Sequence, residues 1–385
     1  MKDNLIISPI FISVLVFIFC TGIIAGLTIG LHELTFETEF WINILVESYG
    51  MLFDIAILGI LVLWLNLRGE RKRDIQRYKE EIEDYLGWDE KEATYKIIAN
   101  INRLNKLGVS KIFLNHAWLV KANLLNANLE GACLQGTLLR EANLCDINFK
   151  GANLWQADIE GALLRDANLE GANLEGVNLK RADLQGANLK GAKLAGANLE
   201  EAALPRANLK GAYIRCANFK AANLWKTNFE NANLEEANLK NVTLGAANLK
   251  GAKLYKANLE GAKFLGSYPG HTNLREVFFE SANLKSANFQ DADLKGAKFN
   301  NANLEGANFQ NTYLPEAEFE NANLKGANIA KSIFFEENQL LKVRTLYKAK
   351  LNDGQLNNVR EKCPHLLAVP PKKGSLSINK SLISK

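Results

Sequence analysis

A five-residue period is the feature that most constrains the fold of this 385-residue chain. When every fifth position is marked from Leu119 to Phe334, 43 of the 44 marked positions hold Leu, Ile or Phe, and Pro269 is the exception. The residue two places before each marked position is Ala in 34 of the 44 cases. One structural unit is therefore repeated, without a change of register, over more than half of the chain.

A helix cannot use a period of five, because each residue turns an α-helix by about 100° and every fifth residue would spread around the cylinder. In a strand, a marked residue and the residue two places before it share one face. The next marked residue returns to that face only if the chain turns a corner once per five residues. Repeated corners with one inward face predict a solenoid whose coils stack at about 4.8 Å.

The repeated phrase A-N-L-x-G, seen from Ala172 to Gly176 and from Ala187 to Gly191, resembles the pentapeptide-repeat family. The resemblance implies a mainly β fold, a right-handed quadrilateral β-helix in which the central Leu or Phe and the preceding Ala point inward. Four sides of five residues give 20 residues per coil, about 11 coils and a rod of about 50 Å. We expect this β-helix to occupy residues 109–335.

Charges at the position after each marked residue support an even number of sides. These charged residues occur mainly in every second pentapeptide. They form one series at intervals of 20 from Glu130 to Lys210 and another, ten residues away, from Arg140 to Lys220. A 20-residue coil turns these series into two ladders on opposite faces, whereas a 15-residue coil would not align them. Asn often precedes the marked residue, and we expect its amides to bond from coil to coil.

Two apolar stretches before the repeats predict a transmembrane hairpin over residues 1–67. The first, placed at about 5–30, is uncharged and longer than the ~20 residues that cross a bilayer. A cleaved signal peptide is disfavoured because the apolar run is too long and Asp3 follows Lys2. The second span, at about 45–67, must include Asp54, because the apolar residues after it are too few to cross alone.

The basic cluster from Arg68 to Arg77 follows the second span, and the loop between the spans is acidic. The positive-inside rule then places both termini and the repeats in the cytoplasm, on the inner face of the cytoplasmic membrane. An integral membrane protein with two spans is the expected form, and self-association through the hairpin is an open alternative.

Asp54 and Glu47 are the candidate interaction residues of the anchor. An aspartate facing lipid costs roughly 2.5 to 3.5 kcal/mol on insertion scales, so Asp54 should face a partner. The partner is either a Ser or Asn of the same hairpin or another membrane protein, and both alternatives stay open.

Helical segments are predicted on both sides of the repeats. Residues 68–108 should form two juxtamembrane helices, at about 71–86 and from Asp89 as N-cap to a stop at Gly108, which cap the first coil. Residues 336–368 should form a second cap with helices at 338–350 and 355–362, and residues 369–385 a disordered tail. The phrases at Arg71–Tyr78 and Thr345–Ala349 resemble those of membrane-anchored bacterial pentapeptide-repeat proteins.

One interruption breaks the repeat, from Leu265 to Thr272, with Pro269 where Leu belongs. One wall should bulge outward there. The bulge is either a simple defect or a recognition loop that presents Tyr268 and His271, because exposed loops on rigid scaffolds often bind partners.

Catalytic and metal chemistry find no support in the sequence. The five cysteines lie far apart without a C-x-x-C pair, and the four histidines are equally scattered. We find no phosphate-binding glycine loop, paired catalytic carboxylates or nucleophile-base pattern. The expectation is a protein that is not an enzyme and that uses no cofactor and no metal.

A membrane-tethered protein-interaction scaffold with an unidentified protein partner is the preferred function. The resemblance also allows a DNA mimic that protects topoisomerases, and the hairpin allows an accessory role in a membrane transport or export assembly. Residues 115–334 hold 24 basic and 23 acidic residues, a net charge of +1. A phosphate mimic needs a strongly negative rod and a nucleic-acid binder a strongly basic one, so neither class is favoured.

Overall fold

Residues 38–264, 272–332 and 337–370, with the single residues 18, 22, 23 and 26, are described by a computed structural model. Apart from those four residues, the first predicted span lies outside the described residues, as does the tail beyond residue 370. The chain divides into two compact units, Met1–Arg77 and Tyr78–Lys385.

Parallel pairing between residues 20 positions apart builds the repeat region. The Leu114 N–H donates to the Cys133 carbonyl at 2.7 Å, and the Cys133 N–H donates back to the Ile112 carbonyl at 2.9 Å. Within the described residues each side contributes an isolated bridge and no longer strand, because a corner follows within two residues. Four bridge positions occur in every 20 residues, so the coil has four sides, as the β-helix prediction requires.

The four faces of the rod are numbered by the bridge residues that stack on each. Opposite faces differ by ten residues in sequence, so face 1 lies opposite face 3 and face 2 opposite face 4. Face 1 runs from Phe113 to Glu318, face 2 from Trp118 to Asn323, face 3 from Asn123 to Asn328, and face 4 from Asn128 to Tyr313.

The core of the rod consists of the marked residues and the small residues two places before them. Leu189 and Ala187 are both fully buried, which confirms the inward assignment. Where Thr replaces Ala its hydroxyl is satisfied internally, as in Thr137, which donates to the Leu114 carbonyl at 2.7 Å. Burying a hydroxyl is tolerated only with such a partner.

Phenylalanines in the later coils stack in two columns, as their 20-residue spacing predicts. Ring centroids of Phe279 and Phe299 are 5.1 Å apart, those of Phe299 and Phe319 are 4.9 Å apart, and those of Phe289 and Phe309 are 5.0 Å apart. Rings from the two columns meet edge to face, the other favoured arrangement of aromatic pairs.

Asparagine ladders run along faces 2 and 4, as the sequence predicts. On face 2, each Asn Nδ2 donates to the Oδ1 of the residue one coil earlier; Asn218 and Asn198 are joined at 3.1 Å. The Oδ1 of each such Asn also accepts from the backbone N–H two residues further along its own chain, as Asn218 Oδ1 accepts from the Lys220 N–H at 3.2 Å. Each amide therefore joins neighbouring coils and holds its own corner.

Helix α1, Thr38–Asp84, is continuous, whereas the sequence analysis placed a break between a span ending at residue 67 and a second helix beginning near 71. No proline lies in this segment, and Gly69, at the expected break, did not end the helix. Helix α2, Lys91–Lys106, begins after Glu90, so Asp89 as its N-cap was wrong. Gly108, with φ of 72°, follows its C-terminus as predicted.

Helix α2 covers the open end of the first coil. The Thr94 hydroxyl donates to the Trp118 carbonyl on face 2 at 2.9 Å. At the other end of the helix, the Asn105 side chain donates to the Asn128 carbonyl at 2.7 Å and accepts from its N–H at 2.8 Å. These side chains replace the strand partners that the first coil lacks on two of its faces.

The C-terminal end combines short helices with a further partial coil. Helix α3 spans only Glu337–Leu341, so the helix predicted over 338–350 was wrong. Thr345 and Lys350 instead pair with Asn323 and Asn328, because the closing coil offers their backbone groups partners that a helix would not. Helix α4, Asp353–Lys362, contains the predicted helix at 355–362 and begins with a capping box, and a 3₁₀ helix, Pro364–Leu367, follows it.

We expect Leu189→Asp to destabilise the rod by more than about 3 kcal/mol, since it removes a buried apolar side chain and buries a charge. Guanidinium unfolding of the full chain in detergent, followed by limited proteolysis, measures the loss. Lys190→Asp, at the exposed neighbouring position, is the control and should leave both readouts unchanged. Equal protease protection of the two variants would contradict the inward assignment of Leu189.

Candidate functional site

Asp54 and Glu47 lie on α1 and are exposed. They are seven positions apart in sequence, so they share nearly one side of the helix at about 10 Å along its axis. Neither carboxylate forms a salt bridge with any residue that the structure describes. Their role as partner contacts stays a prediction.

α1 is also the one helix in the described part of the chain that is long and apolar enough to cross a membrane, judged by length and composition alone. The segment Val46–Asp84 has a mean hydropathy of 2.1 over its most apolar window, and that window is unburied. One such helix is compatible with an anchor, and it also carries the two candidate carboxylates.

Tyr268 and His271 lie outside the described residues, but the pairing on either side shows how the chain accommodates their segment. Bridges join Asn248 to Asn273 and Lys263 to Asn288, an offset of 25, and the offset returns to 20 from Asn273 onward. Five residues are therefore additional to the coil between Phe264 and Thr272.

Thr272 anchors the backbone at the position where the chain re-enters the coil. It is fully buried, and its hydroxyl donates to the Phe264 carbonyl at 2.7 Å and to the Leu244 carbonyl at 3.2 Å. Thr272 thus fills the small-residue position that precedes Leu274. The chain enters and leaves the extra segment at fixed positions.

Faces 2 and 4 carry the predicted ladders of charge. On face 2, Glu200 lies between Lys180 at 3.6 Å and Lys220 at 3.1 Å, and on the edge beside face 4 Lys210 pairs with Glu230 at 3.1 Å. The hydrogen bond from Lys220 lowers the pKa of Glu200, assisted by the charges of both lysines and opposed by desolvation. Exposed pairs of this kind contribute little stability one by one.

The outward residues of faces 1 and 3 vary more from coil to coil than those of faces 2 and 4. Most of the exposed aromatic side chains of the rod lie on face 1 and on the corner that follows it. Phe113 and Tyr213 occupy bridge positions on face 1, with 58% and 61% of their surfaces exposed, and Trp155 and Tyr255 lie two residues after such positions. This surface is not predicted by the repeated positions, because its aromatic residues occupy the variable ones. The position before each marked residue is variable. A comparison of these positions at intervals of 20 residues would have revealed the aromatic side chains of face 1.

The clefts on the rod are half-open and lined mainly by charged and amide residues. A cleft of about 350 Å³ lies beside α3 and is lined partly by Glu316, which pairs with Lys295 at 3.3 Å. Another of about 520 Å³ is lined by Arg140, Glu160 and Arg181, and Arg181 pairs with Glu160. Among the described residues, no group of three or more His, Cys, Asp or Glu is placed to hold a metal ion.

We expect Lys220→Met to raise the pKa of Glu200, because the largest cause of its lowering is the Lys220 hydrogen bond. Carboxyl ¹³C NMR titration measures the shift. A lowered carboxylate pKa stabilises the fold above the unfolded-state pKa, and this stabilisation is lost as the pH falls through the folded-state value. The stability difference between wild type and variant should therefore shrink with acidification, and an unchanged Glu200 pKa would refute the pairing. Lys263→Met, on face 3, is the control.

Deletion of residues 267–271 should leave the rod folded. The deletion joins Phe264-Leu265-Gly266 to Thr272-Asn273-Leu274 and restores the pentapeptide phrase and a uniform offset of 20. A shorter loop costs less closure entropy, so we expect a melting temperature equal to or above that of the wild type. A matched deletion of residues 247–251, within regular coil, removes buried positions and should destabilise the chain. Equal destabilisation by both would contradict the assignment of five extra residues.

Comparison with known proteins agrees with this geometry. The family profile described as pentapeptide repeats matches residues 114–267 and 270–335 in successive segments, more than half of the chain. HetL, a pentapeptide repeat protein involved in heterocyst differentiation regulation in the cyanobacterium Nostoc sp. strain PCC 7120, is 31% identical. That alignment covers 60% of this chain and 95% of HetL, with a TM-score of 0.34.

Two further solved structures are similar over part of the chain. Rfr23 from the cyanobacterium Cyanothece 51142 is 37% identical over 25% of this chain and 63% of its own, with a TM-score of 0.23. A trypsin-treated form of QnrB1, a plasmid-mediated fluoroquinolone resistance protein, is 19% identical over 51% of this chain and 97% of its own, with a TM-score of 0.32. No curated protein matches the chain in sequence. The repeated phrase, its four-sided pairing and the family profile together show that the chain belongs to the pentapeptide-repeat family.

Proposed function

We propose that the protein is a non-enzymatic, membrane-tethered interaction scaffold that holds a rigid pentapeptide-repeat rod at the cytoplasmic surface. The observation that carries the proposal is α1, an unburied apolar helix that continues without a break into a basic segment. Such a helix is costly in water, and a bilayer would cover its apolar surface. The other span of the hairpin, its first, would be the stretch at about 5–30.

Charge supports the cytoplasmic orientation. Five basic residues, from Arg68 to Arg77, follow the apolar part of α1 within three turns, whereas Glu37 and Glu39 precede its other end. The Arg68 guanidinium lies 5.0 Å from the Trp64 ring centroid, an aromatic and basic pair typical of the membrane interface. The repeats follow this basic end of the helix and would lie on the cytoplasmic side.

The rod itself supports a binding role rather than catalysis. Pentapeptide-repeat proteins are generally structural or binding proteins. The inward positions here are committed to packing, whereas the outward positions of faces 1 and 3 vary, and face 1 with its following corner exposes aromatic side chains. With about 11 coils, the rod would offer straight faces about 50 Å long to a partner.

Asp54 and Glu47 would make the contact within the membrane. Because they share one side of α1, a single neighbouring helix could cover both carboxylates. That helix is the first span of the same hairpin, a second copy, or a component of a transport or export assembly. Tyr268 and His271 would add a loop contact outside the membrane.

A DNA-mimic role is not favoured. The likeness to QnrB1 at 19% identity concerns the fold alone. Residues 115–334 are nearly neutral, with 24 basic and 23 acidic residues, so the rod lacks the negative surface with which a protein replaces a phosphate backbone. Nucleic acid is therefore not the proposed partner.

The orientation can be tested with Cys216, which is exposed on the rod. A membrane-impermeant maleimide should label Cys216 in inverted membrane vesicles and not in intact spheroplasts, as measured by mass spectrometry. Burial raises the pKa of the Cys216 thiol, and its hydrogen bond to Glu236 raises it further, so labelling is run at alkaline pH. Cys216→Ser is the control for assignment of the adduct.

Other experimental outcomes would contradict the membrane tether, the orientation or the Asp54 contact. Recovery of the chain in the soluble fraction would remove the membrane tether, and labelling in spheroplasts alone would reverse the orientation. Asp54→Leu should keep membrane insertion and reduce the size of the detergent-solubilised assembly; an unchanged size would remove Asp54 as a contact. Inhibition of gyrase supercoiling by the solubilised full chain would favour the DNA-mimic role instead.

A further inference from the structure

The edge where face 4 turns into face 1 is basic over six successive coils. Between Lys190 and Lys298 its outward positions carry eight basic side chains against two carboxylates, Glu230 and Glu276. The phrase Lys-Gly-Ala-Lys occurs three times on it, at 190–193, 250–253 and 295–298. We call this surface the basic edge. The rod as a whole is nearly neutral, so the charge of this edge is a local feature.

Five lysines of the basic edge have no ionic partner among the described residues, and four of them are exposed: Lys190, Lys193, Lys250 and Lys253. The fifth, Lys298, is half-buried and lies 5.4 Å from the Phe278 ring centroid. The other three cations of the edge are neutralised, as in Lys210 with Glu230 at 3.1 Å and Arg275 with Asp293 at 2.6 Å. Many lysines of the face 2 ladder are also paired. The four exposed unpaired lysines form two groups, three coils or about 14 Å apart.

An acidic counterpart lies on the same chain, from the end of α1 to the start of α2. We call residues 83–92 the acidic turn, and they hold five carboxylates against one lysine. Glu83 and Asp84 end α1, whose last turn has no basic residue. Carboxylates at a helix C-terminus oppose the helix dipole, so this arrangement is unfavourable without an external cation. Trp88, 54% exposed, lies among them.

The acidic turn cannot reach the basic edge of its own chain. Contacts of Thr94 with Trp118 and of Asn105 with Asn128 place the N-terminal end of α2 over face 2 and its C-terminal end over face 4. The acidic turn precedes that N-terminal end, across the rod from face 4. Lys190 lies a further three coils, about 14 Å, along the rod from Asn128.

We propose that the basic edge of one copy docks the acidic turn of a second copy. The opposite charges of the two surfaces select this occupant, and Tyr213, 61% exposed between the two lysine groups, offers an aromatic partner for Trp88. The contact joins two different surfaces, so the copy that supplies its basic edge retains a free acidic turn, and the copy that supplies its acidic turn retains a free basic edge. Such heterologous contacts build rings or open rows, and confinement to one membrane would strengthen weak contacts by raising their effective concentration.

This inference deepens the proposed scaffold by naming its partner as the chain itself, and its test does not require a membrane. Full-length chains in detergent, half of them labelled with ¹⁵N, are mixed and treated with a carbodiimide, which joins lysine amines to carboxylates in direct contact. Mass spectrometry should find mixed-isotope links between residues 190–253 of one copy and 83–92 of another. A ladder of dimers, trimers and larger species should accompany them.

Charge exchange decides whether the contact is specific. Lys250→Glu with Lys253→Glu should reduce these links by about tenfold, and adding Asp89→Lys with Glu90→Lys should restore most of them. Glu90 makes no side-chain cap bond, so its replacement removes no hydrogen bond from α2. Lys263→Glu, on the opposite face 3, is the matched control and should leave the links unchanged. Circular dichroism confirms that each variant is folded.

Several results would overturn the inference. These are links confined to single-isotope pairs, equal loss in the Lys263→Glu control, and absence of recovery in the fourfold variant. Links that form only when anionic phosphatidylglycerol is added would assign the edge to lipid headgroups. The Cys216 labelling result is independent of all of these, so failure of the docking contact leaves the membrane orientation standing, and the reverse also holds.

Discussion

The hydrogen bond between residues one coil apart is the constraint on which the rest of the rod depends. Every side has only one bridge residue, so no face has a strand that would be stable by itself. Each coil is held because its neighbours above and below offer backbone groups at the same four positions. The Leu columns, Phe columns and Asn ladders all follow from that stacking, since whatever occupies a position meets its equivalent about 4.8 Å away.

The same constraint explains why the two ends differ from the middle. A first or last coil has unpaired backbone groups on one side, and the chain supplies partners from outside the repeat. At the N-terminal end, Asn105 offers both a donor and an acceptor to Asn128 and so imitates a backbone neighbour. At the C-terminal end, residues up to Lys350 add a partial coil, and the Leu346 N–H donates to the Leu366 carbonyl at 2.7 Å.

The repeated elements of the structure could be predicted from the sequence more accurately than the segments that occur only once. A period of five with inward Leu and Ala has one structural solution, so the faces, the ladders and the stacked rings followed from it. The segment after Phe335 has no period, and the spacing of Leu340 and Leu346 resembled a helix although only five residues there are helical. Asp89 has a better intrinsic preference for the N-cap than Glu90, but α2 begins after Glu90. The basic edge escaped notice because its charge is visible only when positions from two faces are combined in space.

The five additional residues after Phe264 show how the rod tolerates change. Across them the Asn258 and Asn283 amides still bond at 3.2 Å, and the rings of Phe264 and Phe289 still stack at 4.7 Å. The stacking of neighbouring coils therefore depends on where the chain returns, at Thr272, and not on how many residues lie in between. A corner of this kind is a natural graft point, where a segment of another length or sequence can be acquired while the columns on all four faces stay aligned.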